Sequence, residues 1–296
     1  MANPLSIAAA NAVESARTYR VRRALKTALW YLLLSVGSMF ALFPLFWMIS
    51  TGLKVSGHEW LLPPEWLPNP PVIANFFDVW TQAPILHFLR NSVLVTVLAT
   101  TGQVISSAVV AFAFARLRYF GRDVWFIILL STMMLPGIVT QIPLFVIYRH
   151  IQWLDTLLPL IVPYWLGGGA FNIFLMRQYF LTLPYELDEA ARIDGASSLR
   201  ILWQVVLPLS KPVLATVAIF GFISHWNDFM GPLIYTNSKD LRTVAVGLWL
   251  LQSDYRTPWN LLMAGATETL LPVLIIFFTF QRYFIRGIAL TGMAGR

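Results

Sequence analysis

What most constrains this chain is a succession of apolar runs, each long enough to cross a bilayer, set between short basic or proline-rich segments. A helix needs roughly 20 residues to span a hydrocarbon core of about 30 Å, and in lipid every backbone N–H and C=O must be paired inside the protein. Six runs meet that length, at about 30–53, 88–115, 124–148, 157–176, 212–235 and 261–284. With 57% apolar and only 12% charged residues over 296 positions, the chain is more apolar than a soluble domain requires, and it reads as an all-α integral membrane protein. The first run is read as a span and not as a signal peptide, whose apolar core is shorter. Cysteine is absent, which excludes disulfides, thiolate metal sites and cysteine nucleophiles.

A formal charge of +7 raises nucleic acid as a partner, but the positions of the basic residues give another account. Fifteen of the 21 Lys and Arg residues fall in segments on one side of a six-span arrangement: the tail with Arg17, Arg20, Arg22, Arg23 and Lys26, the turn at Arg116, Arg118 and Arg122, the loop from Arg177 to Lys211, and the C-terminus. That asymmetry makes this side cytoplasmic, with both termini inside, and removes the need for nucleic acid. The order is then a cytoplasmic tail (1–29), a first transmembrane helix (30–53), an outer Pro/Trp-rich loop with a short amphipathic piece (54–87), a core of five transmembrane helices (88–284) and a cytoplasmic C-terminal tail (285–296).

Prolines and glycines interrupt the pattern. Pro136-Gly137 and Pro143 break the third run internally, and the fourth carries Pro159, Pro163 and Gly167-Gly168-Gly169. Such a triplet permits either close helix packing or an unwound segment, and close packing is the expectation. Between Pro184 and Pro208, four carboxylates (Glu186, Asp188, Glu189, Asp194) within nine residues place the chain outside lipid. Pro184 suits the start of a helix, the acidic residues its first turn and Gly195 its stop, which predicts a surface helix over 184–194. Ser197 or Ser198 then caps a second helix that carries Leu199, Ile201, Leu202, Val205 and Val206 and halts at Pro208. Physical chemistry alone leaves two readings, an ordinary cytoplasmic loop or a contact for a partner.

No nucleotide-binding G-x4-G-K-[ST] occurs, and the four histidines (His58, His87, His150, His225) have no metal-ligand spacing. The chain reads as a non-enzyme without cofactor or metal, so energy for any transport comes from a partner or an ion gradient. Ionisable groups inside spans are costly and point to function. Asp228, beside Trp226 and Asn227, and Glu268 either line a solute path or fix helix packing at the outer end. The outer segment around 246–259, with Trp249, Gln252 and Tyr255, is amphipathic and either reaches a partner or lies in the interface.

The series Glu189-Ala190-Ala191, three residues, Gly195, nine residues, Val205, one residue, Leu207-Pro208 resembles the EAA loop of bacterial ABC importer permeases, E-A-A-x3-G-x9-I-x-L-P, with Val for Ile. Its longer form through Arg192-Ile193-Asp194-Gly195-Ala196 is similar to the carbohydrate-uptake branch, whose type is the MalG subunit of the maltose transporter. Asn91-Ser92, Ala113 to Leu117, Phe171 to Phe180, Trp226-Asn227-Asp228-Phe229, Leu262 to Gly265, Leu271-Pro272 and Gln281 to Phe284 carry the same resemblance in the same order, from Trp30 to the C-terminus.

The resemblance implies a MalG-like type I importer permease in the bacterial cell inner membrane. Its partners would be a second, MalF-like permease, a MalK-like ATPase dimer that holds the ATP and Mg²⁺, an extracytoplasmic solute-binding protein and membrane lipid. It further implies that Glu186, Glu189, Ala190, Ala191, Asp194, Gly195, Leu207 and Pro208 couple the chain to the ATPase, with Glu189 offering a carboxylate and Gly195 a turn where a side chain would clash. Trp226, Asn227, Asp228 and Glu268 are candidates for the sugar path, and Trp249, Gln252 and Tyr255 for the binding-protein contact. The small-residue tail Gly287 to Arg296 resembles the segment that enters the ATPase dimer, except that Gly-Arg replaces the commoner Lys-Gly. Sugar acids, polyols and glycerol phosphate stay open as cargo beside sugars and oligosaccharides, and an ion-coupled transporter or a membrane scaffold are the other classes.

Overall fold

The computed structural model describes residues 4–82, 84–252 and 257–293, and among them every regular element is helical. Helix α1 (Pro4–Gly52) is continuous over 49 residues. The segment before Trp30, expected as a tail, is helical because its Ala, Leu and Arg residues are strong helix formers and neither Gly nor Pro occurs between Leu5 and Val36. The apolar window of its spanning part, Arg22–Gly52, buries no residue against the rest of the protein. Contact begins near its C-terminal end, where Ser50 and Thr51 are buried and Gly52 lies against the Ala264 backbone of the last helix. The loop that follows folds back through Trp66, edge-on to Trp47 at 5.5 Å, and leads to the short amphipathic helix α2 (Asn75–Gln82).

Helix α3 (Ile85–Arg116) is the pillar of the molecule. Its buried face is largely small (Ala99, Gly102, Ser107, Ala108, Ala111, Ala115), so neighbouring backbones approach closely. In lipid, helices gain nothing by hiding apolar surface from one another, and it is this dispersion contact that holds them. After α3 come α4 (Arg122–Ser131), a 3₁₀ turn and α5 (Gly137–His150). The two helices are bent by 101° at Pro136-Gly137, because proline removes a backbone donor and clashes with the preceding turn.

The fourth span begins with α6 (Leu158–Ile161) and a 3₁₀ turn over Val162–Trp165, unwinds, and resumes as α7 (Ala170–Leu181). The close packing expected of the glycine triplet thus occurs inside an unwound segment and not along a continuous helix. Gly168 has φ +65°, and a Cβ there would lie 2.0 Å from Ser107 Oγ and 2.5 Å from the Gln103 carbonyl. Only glycine meets both demands.

The polar stretch forms α8 (Glu186–Ile193) and α9 (Ser198–Ile201), then a π turn over Leu202–Val206 and α10 (Leu207–Leu209). The second surface helix was expected to halt at Pro208; Pro208 instead lies in the first turn of α10, where a missing N–H is tolerated, and the helix ends at Leu209. It meets α11 (Lys211–Trp226) at 83°.

The fifth span, expected unbroken to Tyr235, is interrupted at Asn227–Phe229 before α12 (Met230–Tyr235). A 3₁₀ turn (Lys239–Leu241) and α13 (Val244–Trp249) precede α14 (Trp259–Met293), which carries Pro272 and extends through most of the segment expected as a C-terminal tail. Among the described residues four helices are long and apolar enough to cross a membrane, and the number rises to six where each bent pair counts as one span. An inner core joins α3, α4, α7, the π turn and α11 around Phe112, Phe126, Met176, Phe180, Leu202 and Val217, while smaller clusters form around Val79–Phe88 and Tyr148–Tyr235.

Candidate coupling surface and solute path

Helix α8 is built by its sequence. Glu186, Asp188 and Glu189 fill the first turn, where carboxylates meet the positive end of the helix dipole, and Arg192 sits in the last. The helix closes in a Schellman motif: Ala196 N–H donates to Ala191 C=O (2.9 Å) and Gly195 N–H to Arg192 C=O (3.0 Å), with Gly195 at φ +77°. No atom lies within 4 Å of a Cβ at Gly195, so within this chain the glycine is required by its backbone angle and not by crowding. Ser197, the predicted cap, accepts from Arg200 N–H at 3.4 Å. The outward face carries Glu189, Ala190 and Asp194 with Leu187, Leu199, Trp203 and Ile193, the last 87% exposed. Leu207 packs on the inner core, and Pro208 is exposed. The helix thus presents an exposed apolar strip flanked by carboxylates.

Asp188 points the other way. It is 1% exposed and lies 3.6 Å from Arg116 Nε, and Arg116, at the end of α3, is 4% exposed. The same guanidinium donates through Nη2 to the carbonyls of Phe180 (2.7 Å) and Leu183 (2.8 Å), at the end of α7. Burial pushes the Asp188 carboxyl above its ordinary range, and the charges of Arg116 and Arg192 oppose that rise. Nothing in the sequence singled out this pair, which is 72 positions apart; the signal available was an arginine closing an apolar span and a carboxylate one position before Glu189.

The four candidates for a solute path separate. Trp226 and Asn227 line a cavity of about 260 Å³ with Val244, Leu248, Thr269 and Val273, between α11, α13 and α14. The Trp226 indole N–H donates to Thr269 C=O (3.0 Å), and the Asn227 amide to Ile223 C=O (2.9 Å), leaving the Asn227 carbonyl oxygen on an exposed residue. Asp228, at the break in the fifth span, accepts from Gly231 N–H in the first turn of α12 at 3.1 Å. Glu268 faces the Trp80 indole of α2, away from that cavity lining, and its Oε2 is buried.

Of the outer-loop candidates, Trp249 is half exposed with its ring edge-on to Phe229 at 5.9 Å, Gln252 is exposed, and Tyr255 lies outside the described residues. The loop is tied to α3 by Asn91, which donates to the carbonyls of Asp240 (2.6 Å) and Arg242 (3.0 Å), and by Ser92 Oγ, which accepts from Val244 N–H (2.9 Å). These contacts give the Asn91-Ser92 pair a structural role.

The sequence model of the family described as "Binding-protein-dependent transport system inner membrane component" matches residues 104–290. YurM of Bacillus subtilis, a probable ABC transporter permease protein, is 35% identical over 257 residues, covering 86% of this chain and 84% of the relative. The arabinooligosaccharides transport system permease protein AraQ of Halalkalibacterium halodurans is 34% identical over 274 residues, covering 89% and 96%. A chain of a bacterial ABC transporter involved in import of the acidic polysaccharide alginate, known from its crystal structure, superposes with a TM-score of 0.77 at 26% identity, covering 91% of this chain and 98% of that one. With that match and these relatives, a helical membrane chain that presents an EAA-type helix belongs to the binding-protein-dependent inner-membrane permeases of ABC importers.

Proposed function

We propose that this permease carries an oligosaccharide or a sugar acid into the cell, as one of two unlike permeases above an ATPase dimer that supplies ATP hydrolysis with Mg²⁺. It lies in the cell inner membrane with both termini in the cytoplasm and receives cargo from an extracytoplasmic binding protein. The observation that carries the reading is the outward face of α8, where Glu189 and Ala190 stand exposed six and five residues before the Schellman glycine while Asp188 turns inward. That face offers a carboxylate to a basic cleft. The cargo class is supported by the arabinooligosaccharide and alginate systems to which the chain is similar. Trp226 and Asn227 supply what a sugar path uses, an aromatic face and a hydroxyl-binding amide. Trp249 and Gln252 stand on the outer side, where the binding protein would dock.

The Glu189→Ala variant tests the coupling. A charge-assisted hydrogen bond contributes about 1.5–3 kcal/mol, so its loss lowers ATP-dependent uptake about tenfold or more in an assembled complex. A purified variant complex with native uptake and native stimulation of its ATPase would sink the reading. Binding of arabino- and alginate oligosaccharides to the co-purified binding protein, measured by calorimetry, separates the cargo classes.

A further inference from the structure

The coupling reading concerns the outward face of α8, and the structure adds an inward one. We propose that Arg116 and Asp188 are the positioning residues that pass a push on α8 to the spans, a joint internal to this chain; the proposal rests on α8 meeting the ATPase. Adjacent residues on a helix point about 100° apart. Glu189 therefore faces the partner while Asp188 faces the bundle, and any displacement of the first is a displacement of the second. Asp188 meets a single guanidinium that closes α3 and also holds the Phe180 carbonyl in the last turn of α7 and the Leu183 carbonyl just past it. Three elements thus converge on one buried charge: the surface helix, the central pillar and the helix below the glycine break.

The geometry favours transmission over mere adhesion. Apolar side chains slide past one another at little cost, whereas opposite charges in a medium of low dielectric resist separation in every direction. The pair is also not fully closed. Its 3.6 Å separation exceeds the roughly 2.7–2.9 Å of a charge-assisted hydrogen bond. Neither Arg116 Nε nor the carboxyl oxygens have a hydrogen-bond partner among the described residues. A small inward movement of α8 shortens this contact and draws the ends of α3 and α7 with it. Tyr185, whose ring lies 5.7 Å from the Arg116 guanidinium carbon, covers the joint on the side of the loop.

The test uses the whole complex, reconstituted with its ATPase subunits and its own binding protein in a pool of arabino- and alginate oligosaccharides. The readout is the ratio of ATP hydrolysis with the binding protein to hydrolysis without it. The native complex is the control: absence of stimulation there refutes the function proposed above and not the joint. Asp188→Asn keeps the shape and removes the charge. It is expected to assemble and hydrolyse ATP while its stimulation ratio falls about fivefold or more, the usual size of coupling between sites. Asp188→Glu, which restores the charge, is expected to recover most of the ratio. Arg116→Lys, which keeps a charge but loses the planar fork, is expected to lower the ratio as Asp188→Asn does. A native ratio in assembled Asp188→Asn overturns the proposal. So does failure of both Asp188→Asn and Arg116→Lys to assemble, which assigns the pair to folding alone.

Discussion

At the scale of single residues, Gly195 separates what this chain needs from what a partner needs. Its φ of +77° requires the left-handed region, which costs an ordinary L-residue about 1–2 kcal/mol, yet the space around it in the chain is open. Asparagine tolerates that region, so Gly195→Asn is expected to leave the Schellman closure formed and the melting temperature of the isolated permease within a few degrees of native. If uptake by the assembled transporter nonetheless falls sharply, the side chain is meeting the ATPase. If uptake stays native, Gly195 serves the turn only. The sequence expectation joined these two roles in one phrase, a turn where a side chain would clash, and the structure shows that only the first is internal to the chain.

Among the elements, the glycine break of the fourth span and the outer turn before it set limits on how the molecule rearranges. Gly168→Ala places a methyl group against Ser107 Oγ and a backbone carbonyl at a positive φ, so it combines overpacking with backbone strain. A loss of about 2–4 kcal/mol is expected, read as a fall in the thermal midpoint of the purified complex, whereas Gly167→Ala, where no atom lies within 4 Å, disturbs packing less. In the turn before the fourth span, Asp155 clasps the end of α12 and the loop beyond. Its N–H donates to Tyr235 C=O, and its carboxylate accepts from the N–H groups of Asn237 and Ser238 and from the Ser238 hydroxyl. The Ser238 hydroxyl, then the Ser238 and Asn237 N–H groups, hold this carboxyl below its ordinary range. A depressed carboxylate stabilises above its unfolded pKa and ceases to do so as pH falls through the folded one, so the clasp opens on acidification. Hydrogen exchange at the Asn237 and Ser238 amides is expected to lose protection in that acid range, and Asp155→Asn is expected to abolish the pH dependence of the protection.

For the whole molecule, the spans were legible because about 20 consecutive apolar residues leave a chain few alternatives in water or lipid. The breaks within them were less so. Glycine and proline are tolerated inside membrane helices, and whether they kink, pack or unwind is decided by neighbours such as Ser107 and Gln103, far away in sequence. The outward face of α8 was legible from its spacing, but the inward turn of Asp188 was not, since three carboxylates in four residues look alike until Arg116 is placed beside one of them.

The sidedness rests on basic residues alone, and the pillar helix gives a way to check it. At about 1.5 Å per residue the 32 residues of α3 reach about 48 Å, more than the bilayer core, so as a span it puts its two ends in opposite compartments. Asn91, near one end, holds Asp240 of the loop before α13, and fully exposed Phe120 lies just past the other. Because the chain has no cysteine, single cysteines report without background. A membrane-impermeant maleimide is expected to label Lys239→Cys in intact cells, and Phe120→Cys and Ile193→Cys only after permeabilisation. Ile193→Cys is further expected to be shielded when the ATPase is bound, because the exposed side chain lies on the face of α8 that carries Glu189 and Ala190. Labelling of Phe120→Cys from outside would invert the charge-based topology, and with it the side from which α8 is reached.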